Sequence, residues 1–446
     1  MDGATDGIRV FAPRRRSVKP GLKQAVTSAA FIAAAALAVR FVVLWWTWHQ
    51  AAPASPNEPY GYELGCVAKA IASGKGFSSP LPFFDTGPTA WLSPVFPYIA
   101  GGIFKIWGIY SVKSHVAIQI FDCVCSALTV FPIYAIGKRS FGAAVAAGAA
   151  WLWVVLPDAT HVPIADLWET SLAGLFFAVL FWATVAVRDE QSAGKWAGYG
   201  ALWALGALIN TSLLSVLPFF LAWLAWEARK EQRPWLQPIA VASVVFVLGM
   251  TPWTVRNYYA MGKFLPVRSN FGLELWLGNN PQATEVNAFQ LHPMANHAEA
   301  EEYRSMGEIA YMRAKQGEAL EFIRANPMTT AYFIVRRIGD NWFAVSDRVG
   351  SVFSNGSPYL RVYFFFNAAL TALAWFGAAK ACRVRNSFWA PYVIVLLVYP
   401  LVFYLTHTLV RYRFPMEPIL SILAVAGFSY AVRSLSSGTE ALEPAL

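Results

Sequence analysis

The chain has 446 residues, of which 57% are hydrophobic and only 14% charged, whereas soluble domains carry about 25% charged residues. With an aromatic share of 15% that includes 19 Trp, this composition excludes an ordinary soluble enzyme and fits a polytopic helical membrane protein with interfacial aromatic belts. The net charge of +9 raises nucleic acid as a partner, and the placement of the charges along the chain argues against it.

A membrane span needs about 20 mostly apolar residues. A basic tail, 1–24, carries Arg9, Arg14, Arg15, Arg16, Lys19 and Lys23 and precedes a first span at 25–48. That run is too long for a signal-peptide core and ends at no clear small-residue cleavage site, so it reads as an uncleaved helix. The segment 49–113 follows. Its run Tyr60–Gly74 has helical spacing and stops at Ser-Gly-Lys-Gly. Its apolar run 91–108 contains Pro94, Pro97 and Lys105. Further spans are predicted at 114–137, 141–157, 169–187, 195–210, 211–226 and 236–256. The last ends in Thr251-Pro-Trp-Thr-Val-Arg-Asn-Tyr-Tyr259, which puts an arginine, an asparagine and three aromatics at a membrane surface. The long polar segment 257–358 comes next and holds an amphipathic helical pattern over Ala298–Asn326, followed by Pro327. Spans at 359–380, 388–407 and 415–433 and a tail, 434–446, complete a membrane domain over 25–433.

Charge decides whether 91–108 crosses. If it lies in the interface, both termini are cytoplasmic and ten spans result. Lys138/Arg139, Arg188/Lys195, Arg229/Lys230/Arg233, Lys380/Arg383/Arg385 and Arg433 then fall inside with the tail, as the positive-inside rule expects. That side holds 17 Lys and Arg against 8 acids, an excess equal to the whole net charge of +9. The basic balance therefore reports topology and anionic lipid, not nucleic acid. Both long segments, 49–113 and 257–358, fall on the other side, where juxtamembrane helices roof a helical bundle. The four Cys (Cys66, Cys123, Cys125 and Cys382) have no metal or disulfide spacing, and no cofactor motif or dense carboxylate cluster is present. No obligatory metal or cofactor is expected.

Four stretches carry a family resemblance. They are Tyr62-Glu-Leu-Gly with Ala72-Ser-Gly-Lys-Gly-Phe-Ser-Ser-Pro80, and Thr86-Gly-Pro-Thr-Ala-Trp-Leu-Ser-Pro-Val-Phe-Pro-Tyr98. The others are Pro252-Trp-Thr-Val-Arg-Asn-Tyr258 with Val267-Arg-Ser-Asn-Phe-Gly-Leu-Glu-Leu-Trp-Leu-Gly-Asn-Asn-Pro281, and His407-Thr-Leu-Val-Arg-Tyr-Arg-Phe-Pro-Met-Glu-Pro418. In this order the chain resembles the GT-C superfamily of glycosyltransferases that use polyprenyl-phosphate-linked sugars. Within it, the bacterial branch related to protein mannosyltransferases and the lipid A aminoarabinose transferase is the most similar. The resemblance implies an all-α bundle of about ten transmembrane helices, a catalytic acid in the first outer loop, and a sugar donor on a lipid monophosphate. Relatives often place Asp-Glu or a lone Asp after the first span. Here that spot reads Pro56-Asn-Glu-Pro59, which leaves the base open between Glu58 and Glu63.

Inverting sugar transfer needs a carboxylate to take the acceptor proton and cations near the departing phosphate. Glu63, in the first outer helix, is the expected base, weighed against a solvated helix-face acid. Glu58 is its alternative, weighed against a capping role. Glu169 heads a span where relatives often carry a second acid, and an acid there also suits the helix dipole. Arg411, Arg413 and Arg256, with Tyr412, are candidates for the phosphate, since Arg forks onto phosphate; headgroup anchoring is the bland reading of each. Arg268, Asn270 and His407 are candidates for binding substrate. Asp158 and His161 share a short outer loop, and Arg40 and Asp122 are intramembrane ions that face a partner, a cavity or the interface. The sequence thus predicts an inner-membrane glycosyltransferase that moves a sugar from polyprenyl phosphate, undecaprenyl phosphate if bacterial, to a glycan, lipid or protein on the extracytoplasmic side. The rival class is a flippase or transporter of lipid-linked sugars, which predicts paired repeats and broken helices meeting at mid-membrane.

Overall fold

The computed structural model describes residues 26–48, 59–165, 167–283, 289–344, 352 and 357–440. Glu58 and the tail 1–24 lie outside them. Among the described residues the chain is helical, with no strand. The elements are α1 (Ala29–Trp46), α2 (Tyr62–Ala72), α3 (Val95–Trp107), α4 (Val112–Leu128), α5 (Val130–Phe141), α6 (Ala143–Val155), α7 (Pro157–Ala165), α8 (Thr170–Val187) and α9 (Ala193–Ile209). A 3₁₀ turn (Thr211–Val216) leads into α10 (Leu217–Lys230), then α11 (Leu236–Met261), α12 (Phe271–Gly278), α13 (His297–Met306), α14 (Glu308–Ala325) and α15 (Pro327–Phe343). The last are α16 (Pro358–Arg383), α17 (Trp389–Val398), α18 (Leu401–Leu405), α19 (Val410–Arg413) and α20 (Glu417–Glu440).

Seven helical runs are long and apolar enough to cross a membrane: α1, α4–α5, α8, the turn with α10, α11, α16 and α19–α20. The pair α6–α7, bent by 43°, counts as an eighth if taken as one span. Helix α9 and the broken pair α17–α18 occupy the two remaining expected positions. Helix α3, with 13 residues, is only about 20 Å long, too short for a hydrocarbon core of about 30 Å. It packs on α2 and α4, consistent with the non-spanning reading of 91–108.

Apolar side chains gain little by leaving lipid for one another, so close packing must hold such a bundle. Small residues make it possible. Helices α16 and α20 meet at Gly377 and Gly427, where an added Cβ would lie 2.1 Å from the Leu423 carbonyl oxygen and 2.3 Å from that of Leu373. Around this seam the bundle buries Trp153, Phe177, Phe181, Trp203, Tyr392, Tyr399 and Phe414. A second core, around Trp91, Phe96, Trp276, Tyr303 and Tyr311, lies where the two long loops meet.

Those loops share one end of the molecule because they are bonded to each other. The buried Glu308 carboxylate accepts from the Ala90 N–H (2.9 Å), Thr89 Oγ1 (2.5 Å), Ser269 Oγ (2.6 Å) and Tyr303 Oη (2.8 Å). Four donors make this buried charge acceptable. The basic groups meet at the opposite end, where Arg139 pairs with Asp189 at 2.9 Å and Arg188 with Glu227 at 2.6 Å. Asn386 Nδ2 donates to the Ser140 carbonyl there, at 2.7 Å.

The roof differs from expectation in two places. The pattern over Ala298–Asn326 is two helices, α13 and α14, divided at Gly307, whose φ of 77° is a left-handed value that costs glycine little. These helices also turn Tyr303, Tyr311, Met312 and Lys315 into the protein, so they do more than rest on a membrane. Helix α15 was not foreseen as an element. Several of its apolar residues face outward, with Met328 82% and Val335 65% exposed, while Arg337, Asp340 and Asn341 are buried together with Phe333 and Trp342.

Candidate active site

Glu63, second residue of α2, is buried at the loop end. Its Oε1 lies 3.0 Å from Nε2 of His292. His292 follows the 3₁₀ turn Phe289–Leu291, and its Nδ1 accepts the Met294 N–H at 3.1 Å. That bond places the donated proton on Nε2, so the imidazole donates to the carboxylate. Burial pushes the Glu63 carboxyl up, but His292, then a backbone hydrogen bond and Arg411, hold it below the usual carboxylate range. Glu63 is therefore ionised at neutral pH although buried. His292 also packs on Trp91, 5.7 Å between ring centroids, so the first loop forms one wall of the site.

A second polar group adjoins this pair. Glu274, in α12, accepts from Asn270 Nδ2, lies 4.0 Å from the Arg268 guanidinium, and lies 3.6 Å from His407 Nδ1. His407 also faces the Glu274 carbonyl at 3.3 Å, and its Nε2 meets Tyr412 Oη at 3.2 Å. Two acceptors at Nδ1 and a hydroxyl at Nε2 fix the tautomer with Nδ1 protonated. Burial lowers the His407 pKa, and Arg337 and His292 lower it further against Glu274, so this ring is neutral. Arg268 is tied by Nε to the Trp91 carbonyl at 2.9 Å. Arg411 lies 4.3 Å over the Trp168 ring, and Trp168 stacks on Tyr62 beside Glu63 at 6.0 Å.

The structure thus brings together Glu63, Arg268, Asn270, His407, Arg411 and Tyr412 of the residues singled out in the sequence. Arg256 sits elsewhere. Its guanidinium donates to the carbonyls of Thr89 (2.5 Å) and Phe77 (2.6 Å) and stacks on Trp253. It clamps the first loop, where the sequence suggested phosphate. Arg413 also turns away, fully buried, toward the Trp342 carbonyl at 2.9 Å and Glu417 at 3.6 Å. Glu169, half-buried at the head of α8, accepts from Asn210 Nδ2 at 3.2 Å. Asp158 accepts from Tyr363 Oη. Arg40 is buried on Ser126 and the carbonyls of Ala36 and Trp153, a closed set and not a snorkelling one. The alternative base Glu58 lies outside the described residues.

Sequence reasoning did not single out His292, Glu274, Trp91 or Trp168. Glu274 stood inside a quoted motif and could have been found there. His292 gives no periodic or spacing signal and lies 229 positions from its partner. Among the described residues, no three His, Cys, Asp or Glu side chains gather as a metal group. A separate open groove of about 500 Å³ is lined by Lys263, Arg313 and Glu308. Its one acid already accepts four bonds, so it offers no base.

Comparison with known proteins bears on the fold. Residues 90–254 match the family of dolichyl-phosphate-mannose-protein mannosyltransferases. No curated protein matches by sequence. The structure is similar to the archaeal oligosaccharyltransferase AglB from Archaeoglobus fulgidus in complex with an inhibitory peptide and a dolichol-phosphate. Identity is 14% and the TM-score 0.55, over 96% of this chain and 53% of that one. The apo form of the oligosaccharyltransferase from that organism matches at 15% identity and TM-score 0.54, over 94% and 52%. ArnT from Cupriavidus metallidurans, bound to undecaprenyl phosphate, matches at 15% identity and TM-score 0.38, over 94% and 79%. The chain spans about half the length of the archaeal enzymes it matches. It is a multi-pass membrane protein with the GT-C fold that its motifs imply, and its residues 90–254 fall within the dolichyl-phosphate-mannose-protein mannosyltransferase family model.

Proposed function

We propose that this protein is an inverting glycosyltransferase of a bacterial inner membrane. It moves a sugar from polyprenyl phosphate to a hydroxyl of a glycan, lipid or protein on the extracytoplasmic face. The observation that carries this reading is a buried, ionised carboxylate, Glu63, beside His292 and Arg411 at the loop end of the bundle. The opposite end holds the basic residues that the positive-inside rule assigns to the cytoplasm.

In the proposed reaction Glu63 takes the proton of the acceptor hydroxyl as that oxygen bonds to the anomeric carbon. The bond from that carbon to the phosphate oxygen breaks, and its electron pair leaves with the lipid phosphate. Arg411, at the head of the last membrane helix, offsets the charge that develops there. His292 orients the Glu63 carboxylate and keeps it ionised. Arg268, Asn270, Glu274 and His407 form a polar wall suited to sugar hydroxyls. Arg256 and Arg413 do not touch the donor in this reading, and Glu169 is a supporting residue.

The test compares envelope glycans and lipids by mass spectrometry in cells with the parent chain, without it, and with Glu63→Gln. Loss of one sugar modification in both altered strains, with the variant protein still present in the membrane, supports the reading. A Glu63→Gln strain indistinguishable from the parent refutes Glu63 as the base.

A further inference from the structure

We infer that Arg337 is a positioning residue for the wall of the site made by Glu274 and His407: one buried guanidinium caps the two helix ends that carry them. The inference rests on the reading of that wall as the sugar site. Glu274 lies in α12, which ends at Gly278. His407 follows closely on α18, which ends at Leu405. Both helices end beside the site, and they end against each other. A Cβ added to Gly278 would lie 1.7 Å from the Thr406 carbonyl oxygen, so only glycine lets the two backbones approach this closely.

Such a junction has a cost. The last four carbonyls of a helix lack intrahelical donors, and a buried carbonyl left without one costs as much as a lost hydrogen bond. Two C-terminal ends also bring partial negative charges together. Side chains meet both demands. Asn279, fully buried, donates by Nδ2 to the carbonyls of Leu275 in α12 and Leu405 in α18, both at 2.9 Å. Asn280 Nδ2 covers the Trp276 carbonyl at 2.8 Å. Arg337 of α15, fully buried, supplies the rest. Its Nη2 donates to the Gly278 carbonyl, and its Nη1 donates to the carbonyls of Tyr404 at 3.2 Å and Leu405 at 3.4 Å. A planar guanidinium suits this place, since its two terminal nitrogens serve two helix ends at once, where an ammonium has one nitrogen. These bonds end on backbone carbonyls outside the wall, so Arg337 acts on Glu274 and His407 through the spacing of α12 and α18. His407 depends on that spacing. Its Nδ1 lies 3.3 Å from the Glu274 carbonyl and 3.6 Å from the Glu274 carboxylate, and these two acceptors hold the proton on Nδ1. If the helix ends part, Nδ1 loses both acceptors and the ring is free to take its other tautomer.

The experiment uses the full chain in lipid nanodiscs. Solid-state NMR of isotope-labelled histidine reads the tautomer of His407, assigned by loss of its signal in His407→Gln. Turnover is followed with polyprenyl-phosphate sugars extracted from the host membrane. The parent should show His407 protonated at Nδ1 alone. Arg337→Met should mix the two tautomers and raise the donor KM about tenfold, the worth of one hydrogen bond of the wall, with kcat within about twofold of the parent. Arg337→Lys should fall between, because it keeps the charge but serves only one helix end. Gly278→Ala, with Arg337 in place, should reproduce the tautomer change, because its Cβ must push α12 off Thr406. Affinity for undecaprenyl phosphate, which lacks the sugar, should stay at the parent's value in both Arg337 variants; a fall in step with the rise in KM means general disruption and overturns the inference. A folded Arg337→Met protein with the parent's His407 signal and KM overturns it too. If that variant does not fold, Arg337→Lys decides by the same readouts. A changed His407 signal with the parent's KM upholds the positioning of the ring and refutes the wall as the sugar site, so the two readings fail separately.

Discussion

Replacing His292 tests how the site keeps a buried base charged. His292→Leu removes the imidazole donor 3.0 Å from Glu63 Oε1 and roughly preserves bulk. A hydrogen bond to a charged group is worth about 1.5–3 kcal/mol, and each 1.4 kcal/mol is a factor of ten. Single-turnover transfer at neutral pH should fall about 10- to 150-fold if that bond also fixes the carboxylate toward the acceptor. The pH profile gives an independent sign. With His292 present, the Glu63 pKa lies below the usual carboxylate range, so the rate should hold until pH falls below that range. In the proposed reaction the active form is the carboxylate. Without His292, burial, the largest influence on this group, is opposed only by a backbone hydrogen bond and Arg411, so the acid limb should move to higher pH. His292→Gln, whose amide can still donate, should recover part of both effects. The same pair affects folding. A depressed carboxyl pKa contributes stability above the unfolded value of about 4.3, and that contribution disappears as pH falls through the folded value. The assay is single-turnover transfer in proteoliposomes across acid to neutral pH, with melting recorded for each variant. A folded His292→Leu protein with the parent's rate and acid limb would refute the idea that His292 tunes Glu63.

Three further outcomes are expected. Arg411→Gln should weaken binding of undecaprenyl phosphate and slow turnover, with Arg411→Lys intermediate because it keeps charge but loses the fork; both can be read by ligand binding and single-turnover rates. Arg256→Met should strip donors from the Thr89 and Phe77 carbonyls, at about 1–3 kcal/mol for each group left unsatisfied, lowering the melting temperature more than donor affinity. Cysteines placed singly at the exposed Ser73 and Ser305 of a cysteine-free chain should react with an impermeant thiol reagent in intact cells. A cysteine at Ser192, at the opposite end, should react only after lysis.

Hydropathy made the spans legible, because apolar length is a property of local sequence. For 91–108 hydropathy was ambiguous and the charge distribution along the whole chain decided against a span; α3 is a helix of 13 residues. What stayed hidden depends on distant neighbours. Gly307 was visible, yet nothing local fixed its φ of 77° or the division of the amphipathic helix there. The outward apolar face of α15 was hidden because Arg336, Arg337 and Asp340 depress its average hydropathy, whereas in the fold Arg337 and Asp340 turn inward. Arg337 reaches the carbonyl of Gly278, where an added Cβ would lie 1.7 Å from the Thr406 oxygen. That backbone-on-backbone contact seats His407 against α12, and it joins residues more than a hundred positions apart.

The arginines show why residue type alone could not assign the site. Arg256, Arg411 and Arg413 have the same chemistry and all lie near membrane boundaries in the sequence. Their roles are divided by the acceptors within reach. Arg256 meets two loop carbonyls in line with its fork, so its donors serve the fold. Arg413 meets the Trp342 carbonyl and the buried Glu417 carboxyl, so it serves the inside of the bundle. Arg411 is instead seated on an aromatic face and acts on Glu63. An aromatic seat holds a guanidinium in place by cation–π attraction. In the proposed reaction it is Arg411, placed beside Glu63 and Tyr412, that meets the lipid phosphate, where a guanidinium can fork onto its oxygens.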